Sequence, residues 1–172
     1  MVVAKPDGLS WVKAASIPEN WLTAWQALFW IGEMKKGQSV LIHAGCSGVG
    51  LAAIQLAKAF GAGIIISTAG TDEKVKFVAQ HGAIGINYKT QDFSAEVLKL
   101  TSDLGVNLVV DFIGADYWTK NITSMAKEGH MVLLGLMGGS KTEGPLDLLP
   151  ILFKRLRIEG ILSLRFYLHV TH

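Results

Sequence analysis

Three glycines stand close together in the sequence, in a spacing that suits a phosphate-binding turn. The segment reads Gly45-x-Ser47-x-x-Gly50, with Gly48 as the third glycine, and it follows an apolar run at residues 40–44. An Ala- and Leu-rich segment of helical character comes directly after it. Glycine lets the backbone turn tightly and approach a ligand, and the start of the next helix offers free N–H groups. A strand, a glycine loop and a helix in this order are typical of a dinucleotide-binding turn.

The end of the second predicted strand indicates which dinucleotide fits. An NAD site usually carries an Asp or Glu about 20 residues past the glycines, where it binds the ribose hydroxyls. Here that position reads Ser67-Thr68-Ala69-Gly70 and contains no acid. Small residues such as Thr68 and Gly70, followed by Lys74, leave room and positive charge for a 2′-phosphate. The sequence therefore favours NADP(H), with a solvated helix lysine as the alternative role of Lys74.

Five further residues near these turns are able to do chemistry. Asp72 and Glu73 open a predicted helix, where acids complement the helix dipole, so we interpret both as structural. Asp111 ends the fourth predicted strand and is either catalytic or, as we prefer, bonded to the turn that follows it. His43 lies near the end of a buried strand and is expected to be a satisfied core histidine rather than a base. Cys46 would be reactive, and a site of inhibition, if the helix N-terminus lowered the pKa of its thiol.

The composition bounds the class of protein. The chain has 172 residues, enough for one domain, and a formal net charge of +2, which gives no case for nucleic acid binding. Cys46 is the only cysteine, which excludes an internal disulfide bond and a zinc site made of several thiolates. No apolar run approaches the ~20 residues that span a bilayer, and the first residues do not resemble a signal peptide. We therefore expect a cytoplasmic protein with no metal site and no membrane association.

Hydrophobic patterning predicts alternating strands and helices from residue 37 onward. The predicted strands cover residues 40–44, 63–67, 83–87, 106–111, 130–134 and 157–161. The predicted helices between them cover residues 49–60, 72–81, 94–101, 117–126 and 146–153. Apolar strands separated by helices indicate βαβ crossovers and strands that are buried on both faces. The predicted fold class is α/β: a Rossmann fold with a six-stranded, doubly wound parallel sheet and helices on both faces.

A further helix is predicted before these elements. The segment 16–19, Ser-Ile-Pro-Glu, has the form of a capping box that opens a helix running to about residue 31. Four apolar residues share one face of this helix, namely Trp21, Trp25, Leu28 and Phe29. Such a stripe usually packs against the core, and the alternative is a surface that meets another partner.

Four segments together resemble one known family. They are residues 14–24, the loop 43–50, residues 86–89 and residues 135–139. In all four, the sequence is similar to the quinone oxidoreductase branch of the medium-chain dehydrogenase/reductases, and the similarity covers residues 6 to 162 or so. The resemblance implies an enzyme, free of zinc, that transfers a hydride from NADPH to quinones or related electrophilic carbonyls.

The resemblance also implies how the cofactor would be held. Together with the loop and strand-end residues above, it gives three groups of cofactor-binding residues. They are Gly45, Ser47, Gly48, Val49 and Gly50 at the pyrophosphate; Thr68, Gly70, Lys74 and Tyr88 at the 2′-phosphate end; and Gly135, Leu136 and Met137 beside the nicotinamide. No catalytic side chain is assigned, because the cofactor supplies the reacting hydride.

Members of the family carry a GroES-like catalytic domain that closes the active site. We expect residues 1–18 to be a remnant of that domain and a linker, residues 19–162 to be the NADP(H)-binding domain, and residues 163–172 to be a divergent tail. The alternative function is therefore a non-catalytic NADP(H)-binding fragment, or a truncated isoform with little turnover. In the family the sheets of two subunits join edge to edge. We therefore expect a homodimer or higher homo-oligomer, with a small-molecule quinone as substrate.

Overall fold

The computed structural model describes residues 4–161, which form one six-stranded sheet with helices on both faces. The strands are β1 Ser39–Ile42, β2 Ile64–Ala69, β3 Ile84–Asn87, β4 Val106–Asp111, β5 Met125–Leu133 and β6 Arg157–Gly160. The helices are α1 Trp11–Ala15, α2 Pro18–Trp25, α3 Gly48–Ala59, α4 Asp72–Gln80, α5 Phe93–Leu100, α6 Trp118–Ser124 and α7 Leu149–Lys154. A π-helical turn, Gln26–Ile31, extends α2, and a 3₁₀ turn, Ala115–Tyr117, precedes α6. All strand pairs are parallel, so the predicted Rossmann fold is confirmed.

Strand β1 shows why the strands are apolar throughout. Successive side chains of a strand point to opposite faces of its sheet. Val40 and Ile42 join the core that includes α2 and α3, whereas Leu41 joins the core that includes α5 and α6. None of the three is exposed to solvent. Because helices cover both faces, a central strand has no solvent side, and the sequence shows unbroken apolar runs instead of alternation.

The strand order β3-β2-β1-β4-β5-β6 reverses at β1. Strand β1 pairs with β2 on one side and with β4 on the other, so that Ile42 lies level with Ser67 and with Val110. The segments that follow these three strands therefore diverge from one point at the carboxyl edge of the sheet. Ligands of open α/β sheets bind in the crevice at such a point.

The N-terminal helical region begins differently from the prediction. Residues 11–15 form helix α1, and Ser16 ends it, with its Oγ donating to the carbonyl oxygen of Lys13 at 2.8 Å. Helix α2 then begins at Pro18, and Ile17 at its N-cap provides no capping side chain. The predicted capping box at Ser16 is therefore wrong. Pro18 explains the helix start instead, because its ring fixes a helical φ and it has no N–H group to satisfy.

Strand β5 begins earlier than the prediction, which gave a helix at 117–126 and a strand at 130–134. Met125 already pairs with Val106, and the register shifts before His130 pairs with Leu108. Between them, Glu128 has a positive φ of 61°. The Lys-Glu-Gly segment is therefore an irregularity inside a strand rather than a turn between two elements. Turn and bulge use the same residue types, so the sequence pattern does not separate them.

The aromatic stripe of α2 is divided between core and surface. Leu28 is fully buried, and Trp21 and Phe29 pack against the core on the α3 face, as the first interpretation of the stripe predicts. Trp25 instead packs on Phe29 and on Phe60 at the end of α3, with ring centroids 4.7 and 5.3 Å away. Its side chain remains 44% exposed. The stripe therefore anchors α2 and leaves one aromatic edge in solvent.

Candidate functional site

The loop between β1 and α3 is closely packed at two of its glycines. A Cβ atom at Gly50 would collide with the carbonyl oxygen of Ala44, and one at Gly45 would collide with the Oγ of Ser67. The N–H of Gly45 donates to the carbonyl oxygen of Thr68 at 3.1 Å, which ties the loop to β2. Glycine is therefore required at both positions by the close approach of neighbouring backbone and side chain.

The start of α3 presents unpaired N–H groups. Ser47 is the N-cap, and its Oγ accepts a hydrogen bond from the N–H of Gly50 at 3.0 Å, while its carbonyl oxygen accepts from Leu51 at 2.9 Å. For the N–H groups of Gly48 and Val49 we find no acceptor among residues 4–161, as is usual in a first helical turn. These groups and the helix dipole are suited to an anion.

Asn20 of α2 lies over this helix start, which sequence reasoning missed. A Cβ atom at Gly48 would stand 2.5 Å from the Asn20 Nδ2 and 2.7 Å from its Oδ1. Gly48 therefore faces a side chain of α2 rather than open space. The asparagine is half-buried, and its Nδ2 also donates to the carbonyl oxygen of Ser16 at 3.4 Å. No spacing in the sequence connects residue 20 with residue 48, so only the fold reveals this contact.

The segments that follow β2 and β3 bring Gly70 and Tyr88 together at the carboxyl edge of the sheet. A Cβ atom at Gly70 would lie 3.0 Å from the hydroxyl of Tyr88, whose N–H donates to the carbonyl oxygen of Ala69 at 3.1 Å. Lys74 lies in the first turn of α4, is exposed, and forms no ion pair with any residue that the structure describes. Thr68 is placed differently, because it is only 1% exposed.

The two acids at the start of α4 have structural partners, as expected. Thr71 caps the helix, accepting a hydrogen bond from the N–H of Lys74 at 3.3 Å. The Oδ1 of Asp72 accepts from the Nδ2 of Asn87 at 2.7 Å. The pKa of Glu73 is lowered, first by its own backbone N–H and then by the Thr71 hydroxyl. Asp72 is therefore engaged with the end of β3, and Glu73 with the start of its own helix.

His43 is a satisfied core histidine, as predicted. It is fully buried, with its Nδ1 2.9 Å from the Thr68 Oγ1 and its Nε2 2.7 Å from the Asn121 Oδ1. Because a carbonyl oxygen only accepts, the proton lies on Nε2, and Nδ1 accepts from the Thr68 hydroxyl. Burial lowers the pKa of His43 to about 4, against a smaller opposing effect of Asn121. The imidazole is therefore neutral at pH 7 and links β1, β2 and α6.

Asp111 is bonded to the turn that follows β4, which confirms the preferred role. Its Oδ1 accepts a hydrogen bond from the N–H of Ile113 at 2.8 Å, and its Oδ2 accepts from Gly114 at 3.1 Å. The side chain has no exposed surface. Burial raises the pKa of Asp111 to about 6, while the two N–H groups and the neighbouring amide of Asn121 act to lower it.

The loop after β5 lies directly against this turn. Gly135 approaches the carbonyl oxygen of Phe112, where a Cβ atom would stand 3.1 Å from it. Leu136 is 50% exposed and Met137 is 81% exposed. The structure therefore places Gly135, Leu136 and Met137 at the carboxyl edge of the sheet, with apolar side chains available to a ligand.

The thiol of Cys46 lacks the lowered pKa on which its reactivity would depend. Burial raises the pKa of its thiol, and the positive charge of Lys74 opposes this only in part. The Sγ donates to the carbonyl oxygen of Lys74 at 3.5 Å. The condition for a reactive thiol, a pKa lowered by the helix N-terminus, is therefore not met, because loss of solvent outweighs the nearby positive charge.

A cleft of about 410 Å³ opens beside the loop after β5. Its walls combine apolar side chains, such as Trp118 and Leu136, with the polar Ser140 and Lys141. A cleft of this size and mixed lining suits a small organic molecule.

The chain is similar in sequence to dehydrogenases and quinone oxidoreductases. A family model described as zinc-binding dehydrogenase matches residues 48–168. The chain belongs to the medium-chain dehydrogenase/reductase family. Its resemblance to the quinone oxidoreductase branch is confirmed by quinone oxidoreductase-like protein 2 of Rattus norvegicus, which is 34% identical over 157 residues. That match covers 91% of this chain and 44% of the rat protein.

Solved structures agree with the assignment to the medium-chain dehydrogenase/reductases. An NAD-dependent alcohol dehydrogenase is 36% identical, with a TM-score of 0.83, over 98% of this chain and 49% of that chain. A mycobacterial protein complexed with NADPH is 31% identical, with a TM-score of 0.83, over 94% of this chain and 50% of that chain. The chain therefore spans about half the length of each of these relatives.

The described residues do not form a zinc site, although the description of the family model mentions zinc. Within residues 4–161, no three His, Cys, Asp or Glu side chains come together in a way that could hold a metal ion. The same part of the chain contains no helix that is both long and apolar enough to cross a membrane. We assign no metal-dependent step to these residues.

Proposed function

We propose that this chain is the NADP(H)-binding part of an oxidoreductase that transfers a hydride from NADPH to quinones or related electrophilic carbonyls. The observation that carries the proposal is the glycine loop at the point where the strand order reverses, with the N–H groups of Gly48 and Val49 opening α3. A helix N-terminus at this place suits a diphosphate. The name of the rat relative, quinone oxidoreductase-like protein 2, supports the choice of acceptor.

The loop fits the diphosphate of a dinucleotide. Gly45 and Gly50 have no room for a Cβ atom, so the loop backbone is packed tightly below the crevice. The Oγ of Ser47 accepts from Gly50, which leaves its hydroxyl proton free to donate to a phosphate oxygen. Together with the N–H groups of Gly48 and Val49, this gives several donors and no negative charge at one helix start.

The side chains at the ends of β2 and β3 support NADP(H) over NAD(H). Asp72, which could otherwise bind ribose hydroxyls, is bonded to Asn87. Gly70 provides space, and the hydroxyl of Tyr88 and the exposed Lys74 provide donors for a 2′-phosphate. The solved relatives include an NAD-dependent alcohol dehydrogenase and a protein complexed with NADPH, so the preference rests on these side chains.

Thr68 would take an indirect part in this site. Its hydroxyl is engaged with the Nδ1 of His43, so it offers small size at the end of β2 rather than a contact with the phosphate. We retain it among the cofactor-binding positions for that reason. A larger residue at position 68 would displace both His43 and a cofactor bound above it.

The role of the protein in the reaction is to hold and orient the cofactor. Bound NADPH supplies the hydride. Residues 45–50 would hold the diphosphate, Lys74 and Tyr88 would hold the 2′-phosphate, and residues 135–137 would lie along the nicotinamide. The exposed side chains of Leu136 and Met137 would exclude water from one side of that ring.

The alternative function is a non-catalytic NADP(H)-binding fragment. The chain spans 44% of the rat relative and about half of the solved relatives. Binding and turnover are therefore separate proposals. We also propose a cytoplasmic location and a homodimer or higher homo-oligomer, and we propose no nucleic acid partner.

A titration of the purified chain with NADPH, followed by an assay of NADPH oxidation with 1,4-benzoquinone, tests the proposal. We expect saturable binding of NADPH, and the rate of its oxidation distinguishes the two candidate functions. Rapid turnover would remove the non-catalytic alternative. Failure to bind either NADPH or NADH would contradict the proposed function, and binding of S-adenosylmethionine instead would point to a methyltransferase.

A further inference from the structure

Two loops at the carboxyl edge of the sheet form one hydrogen-bonded unit. The N–H of Met137 donates to the carbonyl oxygen of Phe112 at 3.1 Å, and the N–H of Gly138 donates to Ile113 at 2.7 Å. In the opposite direction, the N–H of Ala115 donates to the carbonyl oxygen of Gly139 at 3.0 Å. The loop after β5 therefore takes its shape from the turn after β4.

The carboxylate of Asp111 shapes the turn after β4. Both oxygens of Asp111 accept backbone hydrogen bonds, from Ile113 at 2.8 Å and from Gly114 at 3.1 Å. The second bond holds Gly114 at a φ of +82°, where a Cβ atom would stand 2.7 Å from the Cδ2 of Leu136 and 2.8 Å from the carbonyl oxygen of Gly139. The carboxylate thus sets how closely the two loops approach.

We propose that Asp111 is a positioning residue for the nicotinamide half of the cofactor, because its carboxylate holds the turn on which residues 135–137 rest. The inference rests on the proposed function, since it needs a dinucleotide in the crevice. It adds to that function a division of the cofactor site into two sides that different strands support. Asp111 governs the nicotinamide side, whereas the 2′-phosphate side around Gly70, Lys74 and Tyr88 is built on other strands, β2 and β3.

The ionisation of Asp111 gives this role a pH dependence. The side chains near its carboxyl are the amide of Asn121 and the phenol of Tyr117. Beyond them lie His43, which is bonded to Asn121 and neutral at pH 7, and Asp116, whose charge also acts on Tyr117. Among them no positive charge stabilises the carboxylate, and burial raises its pKa to about 6. A protonated carboxyl keeps one oxygen as a full acceptor, so one of the two turn bonds is weakened below that pH.

Asp111→Asn tests the proposal through binding of two probes. NADP⁺ contains the nicotinamide, whereas 2′,5′-ADP contains only the other half of the molecule. We expect Asp111→Asn to weaken NADP⁺ binding about tenfold, the effect of losing one hydrogen bond to a charged group, and to leave 2′,5′-ADP binding within about twofold. Asp92→Asn is the matched control, because Asp92 accepts from the Ser94 N–H at 2.9 Å on an exposed helix cap. It should change neither affinity.

The wild-type chain provides a second measurement that needs no variant. The reference probe for this measurement is ADP-ribose 2′-phosphate, which lacks only the nicotinamide. Its 2′-phosphate titrates as in NADP⁺ and its diphosphate does not titrate between pH 5 and 7.5, so the protonation of the probes cancels in the ratio of the two affinities. We expect the wild-type affinity for NADP⁺ relative to ADP-ribose 2′-phosphate to fall as the pH decreases from 7.5 to 5. This comparison decides the case even if the variant is poorly folded.

Three outcomes would overturn the inference. Equal weakening of both probes would mean that Asp111 supports the whole fold, and no weakening of either would mean that the turn keeps its shape without the carboxylate. A wild-type ratio that is independent of pH would contradict the role of its ionisation. If the wild type binds neither probe, the proposed function itself is contradicted. If it binds both probes and the ratio of their affinities does not change with pH, only the inference about Asp111 is contradicted.

Discussion

His43 and Asn121 are joined by a hydrogen bond of 2.7 Å between the imidazole Nε2 and the amide Oδ1, and neither residue has any exposed surface. The bond connects the end of β1 to α6 beneath the crevice. The Nδ2 of Asn121 makes no hydrogen bond of ordinary geometry within residues 4–161, although the amide is close enough to affect Asp111. Two ionisable groups therefore share one buried asparagine, and both resist becoming charged.

These two groups give opposite pH dependences of stability. His43 has a folded pKa of about 4, below its ordinary 6.5, so its contribution is complete above pH 6.5 and is lost as the pH falls to 4. Asp111 has a folded pKa of about 6, above its ordinary 3.8, so its contribution is present below pH 3.8 and is lost as the pH rises to 6. Each amounts to about 3 kcal/mol. Between pH 4 and 6 they largely cancel.

Replacing the histidine should uncover the contribution of the aspartate. Relative to wild type, we expect His43→Gln to gain about 3 kcal/mol in free energy of unfolding between pH 7 and pH 4, because only Asp111 then titrates. Asp111→Asn should lose a similar amount over the same range. Urea unfolding at several pH values measures both. Two variants with the same pH profile as the wild type would contradict these pKa shifts.

The glycines of the loop should differ in how they tolerate alanine. A Cβ atom at Gly50 collides with backbone at Ala44, whereas one at Gly48 meets only the movable side chain of Asn20. Gly50→Ala should therefore cost about 1–3 kcal/mol of stability, and Gly48→Ala should cost much less, since alanine favours helix. Chemical unfolding of the two variants in parallel checks this. A larger cost for Gly48→Ala would show that the Asn20 side chain cannot move aside and would contradict this prediction.

Cys46 should react slowly with alkylating agents. Its thiol has a raised pKa because of burial, so little thiolate is present at pH 7.5. We expect iodoacetamide to modify the folded chain more slowly than N-acetylcysteine under the same conditions. Mass spectrometry of timed samples measures the rate. Modification faster than that of the free thiol would restore the idea of an activated cysteine.

The purified chain should self-associate. Within residues 4–161, strand β6 pairs only with β5, and its other edge has no strand beside it. Trp11 is 76% exposed and Trp25 is 44% exposed, so apolar surface is also available. We expect a dimer or larger species by light scattering during size-exclusion chromatography. A monomer at micromolar concentration would contradict this prediction.

The sequence predicts the sheet well because its strands are buried on both faces and their apolar runs are unambiguous. It also assigns His43 and Asp111 correctly, since buried polar residues at strand ends need nearby partners. It fails where local patterns have two structural meanings. Ser16 has the residue type of an N-cap but ends α1, and the segment around Glu128 has the residue types of a turn but lies within β5.

Contacts between distant segments could not be predicted. The amide of Asn121 reaches His43 across 78 residues of sequence, and no pattern marks it as a partner. Asn20 and Gly48 meet only because α2 packs on α3. For Cys46, the sequence predicts the nearby helix N-terminus but not the burial that raises the pKa of the thiol.

We propose that the segment after β2 selects NADPH through Lys74, and titration of Lys74→Ala with both cofactors tests this proposal most directly. Lys76→Ala is the matched control, because Lys76 is also exposed on α4 but lies two residues further along the helix. We predict that Lys74→Ala loses about tenfold in affinity for NADPH and little for NADH, while Lys76→Ala keeps both. Equal losses for the two cofactors, or no loss for NADPH, would contradict the account.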